Sequence, residues 1–276
     1  MDFKSFVKAA FCGAVLLTVG AVGPGAASDR RVLKVGMECA NAPYNWSQPT
    51  PNEHTVKIAG TNEYTDGYDV AIAKIIADAL DMELEIHKIE WDGLPPAVVT
   101  GKIDAVIAGM SITSKRKQTV DFTLPYYYAD VVALVRKGTP QAEAKSVQDL
   151  KGAVATSQLN TIWYDQIDQV PEVKKLPAID NNPGMIVALK SGKCNLVVTD
   201  VPVAMAAAFA NPELIMLNFD KEGAFKASRE DVEIGAALRK GNTELLEAMN
   251  KVIATLTDDD FKAIMEGAIK RQPLAQ

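Results

Sequence analysis

One short stretch constrains this chain more than any other: the largely apolar run Ile103–Ala108, rich in β-branched side chains and closed at both ends by Gly101 and Gly109. A run this short between two glycines reads as a strand buried on both faces of a sheet, since a helix of ordinary length needs about ten residues or more. Where that strand stops, the chemistry changes. Gly109, Ser111, Thr113 and Arg116 follow in order, so backbone, hydroxyls and a guanidinium gather beyond its carboxyl end. In open α/β sheets that is where ligands bind, and those groups favour a carboxylate or a phosphate.

The rest of the chain repeats the same grammar. A strand at Val32–Gly36 leads into a loop with Pro43, Pro49 and Pro51, after which Asp69 reads as the N-cap of a helix running to about Leu80. Val70, Ala73, Ile76, Ala77 and Leu80 give that helix one core-facing stripe. The alternation from Met82 to His87 is a strand, and Pro95 and Pro96 open a short helix that ends at Gly101. After Lys151 the pattern returns: strands at Ala153–Ser157, Leu176–Ile179 and Leu196–Thr199, helices from Thr161 and over Pro183–Ser191. Alternating strands and helices predict parallel sheets, here in two α/β units. TGKIDAVIAG and SGKCNLVVTD both set Gly-Lys between a helix and a buried strand. That echo is either an internal repeat or the grammar that α/β units share, since Gly ends many helices. Asp130–Lys137 reads as a connection between the units, with the chain leaving the second near Leu214–Phe219, and two crossings suit a hinge.

The first residues read as a secretory signal peptide over 1–28: Lys4 and Lys8, an apolar stretch from Ala9 to Val22, then Pro24, Gly25 and small residues up to a cleavage point near Ala27 or Ser28. A membrane anchor is the competing reading, but Gly and Pro interrupt the stretch before the roughly 20 residues a spanning helix requires. Cys12 follows Phe11, where an acylated cysteine wants a small residue before it. Removal of 1–28 takes away two Lys and one Asp and moves the formal charge from −6 to about −7. That acidic balance disfavours nucleic acid as a partner, and no polybasic run is present to hold an anionic membrane surface. Cys39 and Cys194 remain, far apart and beside different strands, and two separate thiols are expected. Neither they nor the two histidines, His54 and His87, have the spacing of a metal site or of a nucleophilic triad. No metal, cofactor or catalytic set is therefore expected.

Residues 91–128 carry WDGL, GKIDAVIAGMSIT, the Arg116 that follows, VDFT and PYY, in that order. This segment resembles the solute-binding proteins of polar amino acid ABC importers, family 3, and the resemblance runs from about Val32 to about Lys270. It implies the two-lobed periplasmic binding protein fold (type II), two α/β lobes joined by a two-strand hinge. Lobe one would be discontinuous, 29–133 and 220–276, with lobe two over 134–219. It further implies a monomer in the periplasm that binds an L-amino acid with a polar side chain, basic or amide-bearing, between its lobes and hands it to an ABC permease in the inner membrane.

On that resemblance Arg116 grips the ligand carboxylate, which a planar guanidinium does in two parallel hydrogen bonds; by composition alone it would read as a solvated arginine between Lys115 and Lys117. Gly109–Ser111 would present a backbone carbonyl and a hydroxyl. Asp200 would take the α-ammonium, and it also reads as the N-cap of the helix that Pro202 opens. Where relatives have a Gly-Thr-Ser or Gly-Thr-Thr turn, this chain has Gln158-Leu159-Asn160-Thr161-Ile162. Asn160 can replace the glycine in a left-handed conformation, Thr161 keeps one hydroxyl, and Ile162 offers none. Trp91 is read either as a stacking partner for the ligand side chain or as a core residue. Glu38 matches an acidic position that reaches basic or amide side chains. Asn41 stands where an aromatic is common, with Tyr44 or Trp46 as substitutes. Two other functions remain in view: an enzyme like the cyclohexadienyl dehydratases on the same fold, with Glu38 as its acid, and a sensory adaptor that reports to a receptor.

Overall fold

The computed structural model describes residues 30–273; the expected leader lies outside them. Two five-stranded sheets organise the chain. The first runs Glu83–Lys88, Val32–Met37, Ala105–Val106, Ala237–Arg239, Val120–Phe122, and the second Lys174–Lys175, Val154–Thr156, Leu196–Asp200, Val131–Arg136, Leu214–Leu217.

Both sheets are mixed, which corrects the expectation of wholly parallel ones. Val32–Met37 is parallel to both of its neighbours, whereas Ala237–Arg239 is antiparallel to both of its own. In the second sheet the same role falls to Val131–Arg136. The reason is the route of the chain. Strands built by helical crossovers all end on the side facing the other sheet, but a strand entering from the opposite unit begins there and must run away from it. Ala237 accordingly pairs with Val106, and Val131 with Asp200, each partner lying at the carboxyl end of its strand.

Asp130–Lys137 is thus not the connection it was expected to be but a strand of the second sheet, and Leu214–Leu217 is that sheet's last strand, after which the chain leaves it. Val131–Val135 is buried throughout, and Ala133–Arg136 pairs in register with Leu214–Leu217 inside the second sheet. The link is a shorter ladder: Tyr127–Tyr128 pairs antiparallel with Glu233–Ile234. The strand expected over Ile234–Leu238 is divided between that ladder and the first sheet, with Gly235 at the break, where a Cβ would lie 2.7 Å from Ile112 Cδ1. The proline-bearing segment expected as a loop also holds regular structure, a four-stranded antiparallel sheet of short strands between Ala40 and Asp66. Strands of two to four residues are too brief for alternation to show in sequence.

The helix expected after Asp69 spans Tyr68–Ala79 and buries Val70, Ile72, Ala73, Ile76 and Ala77. Its N-cap is Gly67, and Asp69 lies one turn-position inside. Gly67 is required because φ is +138° and an added Cβ would sit 2.2 Å from the Tyr44 carbonyl oxygen, while the Tyr68 and Asp69 amides donate to Pro43 O and Tyr44 O. Cys39 and Cys194 are both free and buried, in different apolar clusters. Replacing Gly67 with Ala places a Cβ against backbone in a region of φ closed to L-residues. Gly67→Ala is expected to cost about 2 to 3 kcal/mol in urea or guanidinium unfolding; a loss under about 0.5 kcal/mol would mean that the approach is relieved elsewhere.

Candidate functional site

The carboxyl ends of the two sheets face one another across a cleft with a cavity of about 320 Å³ of atom-free space, mouth included. The first sheet and its loops supply Asn41, Trp91, Gly109, Ser111 and Arg116 to its walls; the second supplies Gln158, Thr161, Trp163, Asn182, Thr199, Asp200 and Val203.

Arg116 opens a 3-10 turn over Arg116–Gln118 and turns back under its own loop. Its Nη1 donates to the Ser111 carbonyl at 2.9 Å, its Nη2 reaches across to the Asn160 carbonyl at 3.0 Å, and the guanidinium lies 5.3 Å from the centre of the Trp91 ring. A guanidinium has five N–H donors, so most of its capacity stays available. Desolvation lowers its pKa to about 10, which leaves it charged near neutrality. Among the described residues no carboxylate lies within ion-pair distance of it. Trp91, buried on the wall, thereby serves as a platform for the guanidinium.

Asp200 is the last residue of the strand Leu196–Asp200 and the N-cap of the helix Val201–Ala210, as the N-cap reading expects. Oδ1 accepts from the Val203 amide at 2.8 Å and Oδ2 from the Tyr44 hydroxyl at 3.2 Å. Burial pushes its carboxyl up to about 7, since a carboxylate taken out of water without a cation is disfavoured. Among the described residues no cation pairs with it. The cavity therefore carries an unpaired positive group on one wall and an unpaired acid on the other.

Thr161 lines the cavity at the N-cap of the helix Ile162–Gln166, but its hydroxyl donates to the Gln158 carbonyl at 2.7 Å and caps nothing. Asn160 does take the left-handed conformation, φ 55°; its amide donates to Asp92 at 2.8 Å across the cleft. Ser111 and Gly109 lie on the wall, Gly109 at φ +64°, where an added Cβ would lie 3.2 Å from the Tyr44 ring.

Three expected residues sit differently. Tyr44 is not part of the wall: it is buried beneath it, its ring under Gly109 and its hydroxyl on Asp200. Trp46 does not reach the cavity, since its Nε1 donates to Gln48. Neither supplies the aromatic missing at Asn41, because the short sheet from Ala40 to Asp66 holds both rings under or beside the wall. Glu38 is buried behind Gln158, which donates to its Oε1 at 3.1 Å, while Oε2 has no partner. Burial raises the Glu38 carboxyl to about 7, with Glu90, Asp69 and Asp92 adding to the rise. Asn182, which donates to Asn41 across the cleft, and Trp163 also line the wall. Sequence reasoning passed over both, because an Asn inside a helix start and a Trp in a short helix carry no local mark of a cleft.

Two α/β lobes, a double-stranded link and a cleft between carboxyl ends define a two-lobed type II periplasmic binding protein fold. Residues 33–269 match the bacterial extracellular solute-binding proteins, family 3, and the chain belongs to that family. It is 27% identical to the L-cystine-binding protein TcyJ of Escherichia coli K12 over 231 residues, 84% of this chain and 79% of that protein. To the ABC transporter arginine-binding protein 1 of the same organism it is 31% identical, over 72% of this chain and 79% of the relative. An amino acid ABC transporter substrate-binding protein of Streptococcus pneumoniae, bound to L-arginine, superposes with a TM-score of 0.75 at 28% identity, covering 87% of this chain and 94% of that one.

Asp200, Glu38 and Asp69 have carboxyls raised to about 7, 7 and 6. Between the ordinary carboxylate range and those values the folded protein holds more protons than the unfolded chain, so stability falls as pH rises through them. The ligand-stripped protein is expected to melt at a higher temperature at pH 5.5 than at pH 8, and Asp200→Asn to flatten the trend. A melting temperature that climbs from pH 5.5 to 8 would contradict these burial effects.

Proposed function

We propose that this chain binds an L-amino acid in the periplasm by closing its two lobes on it, and delivers it to the permease of an ABC importer. One observation carries the reading: in a single cavity, a guanidinium without a carboxylate faces a carboxyl without a cation. A zwitterion complements both at once, its carboxylate toward Arg116, Ser111 and Thr161 and its ammonium toward Asp200 and the Gly109 loop. Each charge-assisted hydrogen bond contributes roughly 1.5 to 3 kcal/mol net, and micromolar affinity needs about 8. Neither wall supplies that alone, so the ligand favours the closed arrangement, which is how a ligand shifts a conformational equilibrium.

The relatives named above are binding proteins for amino acids, which supports this reading over the dehydratase-like one. At the far end, the amides of Asn41, Gln158 and Asn182, with the Glu38 carboxyl behind Gln158, favour a polar side chain that donates hydrogen bonds, basic or amide-bearing. The N-terminal signal features support export to the periplasm. Among the described residues no helix is long and apolar enough to cross a membrane.

The test is a thermal-shift panel of the twenty amino acids on protein stripped of ligand by unfolding, because a specific ligand raises stability by mass action. One or a few L-amino acids are expected to raise the melting temperature, and Arg116→Ala to abolish the shift; an undiminished response in that variant sinks the carboxylate assignment. Because the ammonium favours ionised Asp200, affinity is expected to strengthen as pH rises from 6 to 8, and titration calorimetry that finds affinity flat or weakening over that range would remove Asp200 from its role. Chromatography of prephenate or arogenate incubated with the protein is expected to show no turnover, and product formation would instead favour the enzyme.

A further inference from the structure

The walls rest on a buried carboxylate that touches none of the cavity. Asp69 has no exposed surface, and its Oδ2 accepts from Asn45 Nδ2 at 2.8 Å, its Oδ1 from the Tyr126 hydroxyl at 2.9 Å. Both partners pass the contact on. The Tyr126 hydroxyl accepts from the Gly109 amide at 3.2 Å, and that amide also lowers the carboxyl pKa of Asp69 by its proximity. On the other side, Asn45 Oδ1 accepts from the Cys39 amide at 2.7 Å. Cys39 and Gly109 both have positive φ, 55° and 64°. For Cys39 that conformation is uncommon and costs energy unless its surroundings enforce it. The buried chain Gly109, Tyr126, Asp69, Asn45, Cys39 thus joins two turns of the first lobe that reach the cavity wall: the Gly109 loop, and the turn at Cys39 that leads into Asn41.

Among the described residues Asp69 forms no ion pair, so its purpose there is not charge neutralisation. A carboxylate accepts on both oxygens and donates nothing, and it is the side chain that takes several N–H and O–H donors at fixed angles. Asn, Ser or Thr at this place would turn a donor toward one of them. Tyr126 adds a further link, because its amide donates to the Ile234 carbonyl and it directly precedes the Tyr127–Tyr128 strand of the link between lobes.

We propose that Asp69 is a positioning residue for ligand binding, setting the Gly109 loop and the Cys39–Asn41 turn at the separation that the two ends of one ligand require. This rests on the amino-acid-binding reading above. It adds that geometry at both ends of the ligand is governed from a single atom group outside the site.

The test uses the full mature chain and two variants. Asp69→Asn keeps the shape but leaves one acceptor oxygen where there were two. Its affinity for L-arginine and L-glutamine, or for whichever amino acid shifts the wild type most, is expected to fall at least tenfold through faster dissociation. Hydrogen exchange at the Cys39 and Gly109 amides is expected to accelerate together, although the two are remote in sequence. Tyr126→Phe cuts only the Gly109 side, so the Gly109 amide is expected to change and the Cys39 amide to hold. Its affinity is expected to drop more for L-arginine than for 5-guanidinopentanoate, which lacks the ammonium, and this variant carries the test where Asp69→Asn does not fold. A folded Asp69→Asn protein with wild-type affinity overturns the proposal. So does a variant that loses affinity for every probe equally with both amides unchanged, the mark of general destabilisation. Wild-type protein that binds none of the twenty amino acids would instead sink the functional reading, which keeps the two failures distinct.

Discussion

The structure depends on two charges kept apart inside one cavity. Arg116 is held by two backbone carbonyls and the Trp91 face, Asp200 by a helix amide and the Tyr44 hydroxyl, and neither neutralises the other. A protein optimised only for stability would pair or remove such groups, because a desolvated charge without a counter-ion is costly. Their retention at facing strand ends is intelligible if a third molecule supplies both missing counter-charges. The raised carboxyl of Asp200 is the visible trace of that cost. It is the usual signature of a site whose stability is subordinate to its chemistry.

The same constraint explains why the site spans two lobes. A zwitterion held from one side leaves half of its charge in water, where hydrogen bonds add little net free energy. Strands entering from the opposite lobe bring the carboxyl ends of both sheets to a common boundary, and the ladder Tyr127–Tyr128 with Glu233–Ile234 keeps that boundary in register. Contacts already cross it from both sides: Gln158 to Glu38, Asn160 to Asp92, Asn182 to Asn41, Tyr44 to Asp200. Several of these are amides, which donate and accept without adding net charge. The amide contacts therefore bridge the lobes without adding charge to the cavity.

Much of the frame was legible from local pattern. The run ending at Ala108, the stripe from Val70 to Ala77 and the Pro202-opened helix after Asp200 announce themselves through burial, periodicity and fixed φ. Asn160 was legible for the same reason, since its left-handed backbone is a property of the residue itself. Asp69 was misread because an Asp ahead of an apolar helix satisfies the N-cap rule; the backbone of Gly67, which no side-chain rule marks, takes that place instead. The first crossing was misplaced because a buried β-rich strand and a β-rich connection have the same composition. Only the pairing partner distinguishes them, and for Val131–Arg136 that partner is Leu196–Asp200, some sixty residues later.

What the sequence determined by itself was the set of local preferences: where the longer helices and the buried strands before the cleft form, which residues bear charge beyond a strand end, and that Arg116 and Asp200 each follow a buried strand. Those depend on interactions within a few residues, so a linear reading captures them. Only the tertiary structure decided which groups share a cavity, that Tyr44 and Glu38 stand behind its wall, and that Asp69 ties Cys39 to Gly109. Those outcomes come from contacts between segments as far apart as Tyr44 and Asp200, and from burial that shifts a carboxyl only once the surrounding lobes have closed water out.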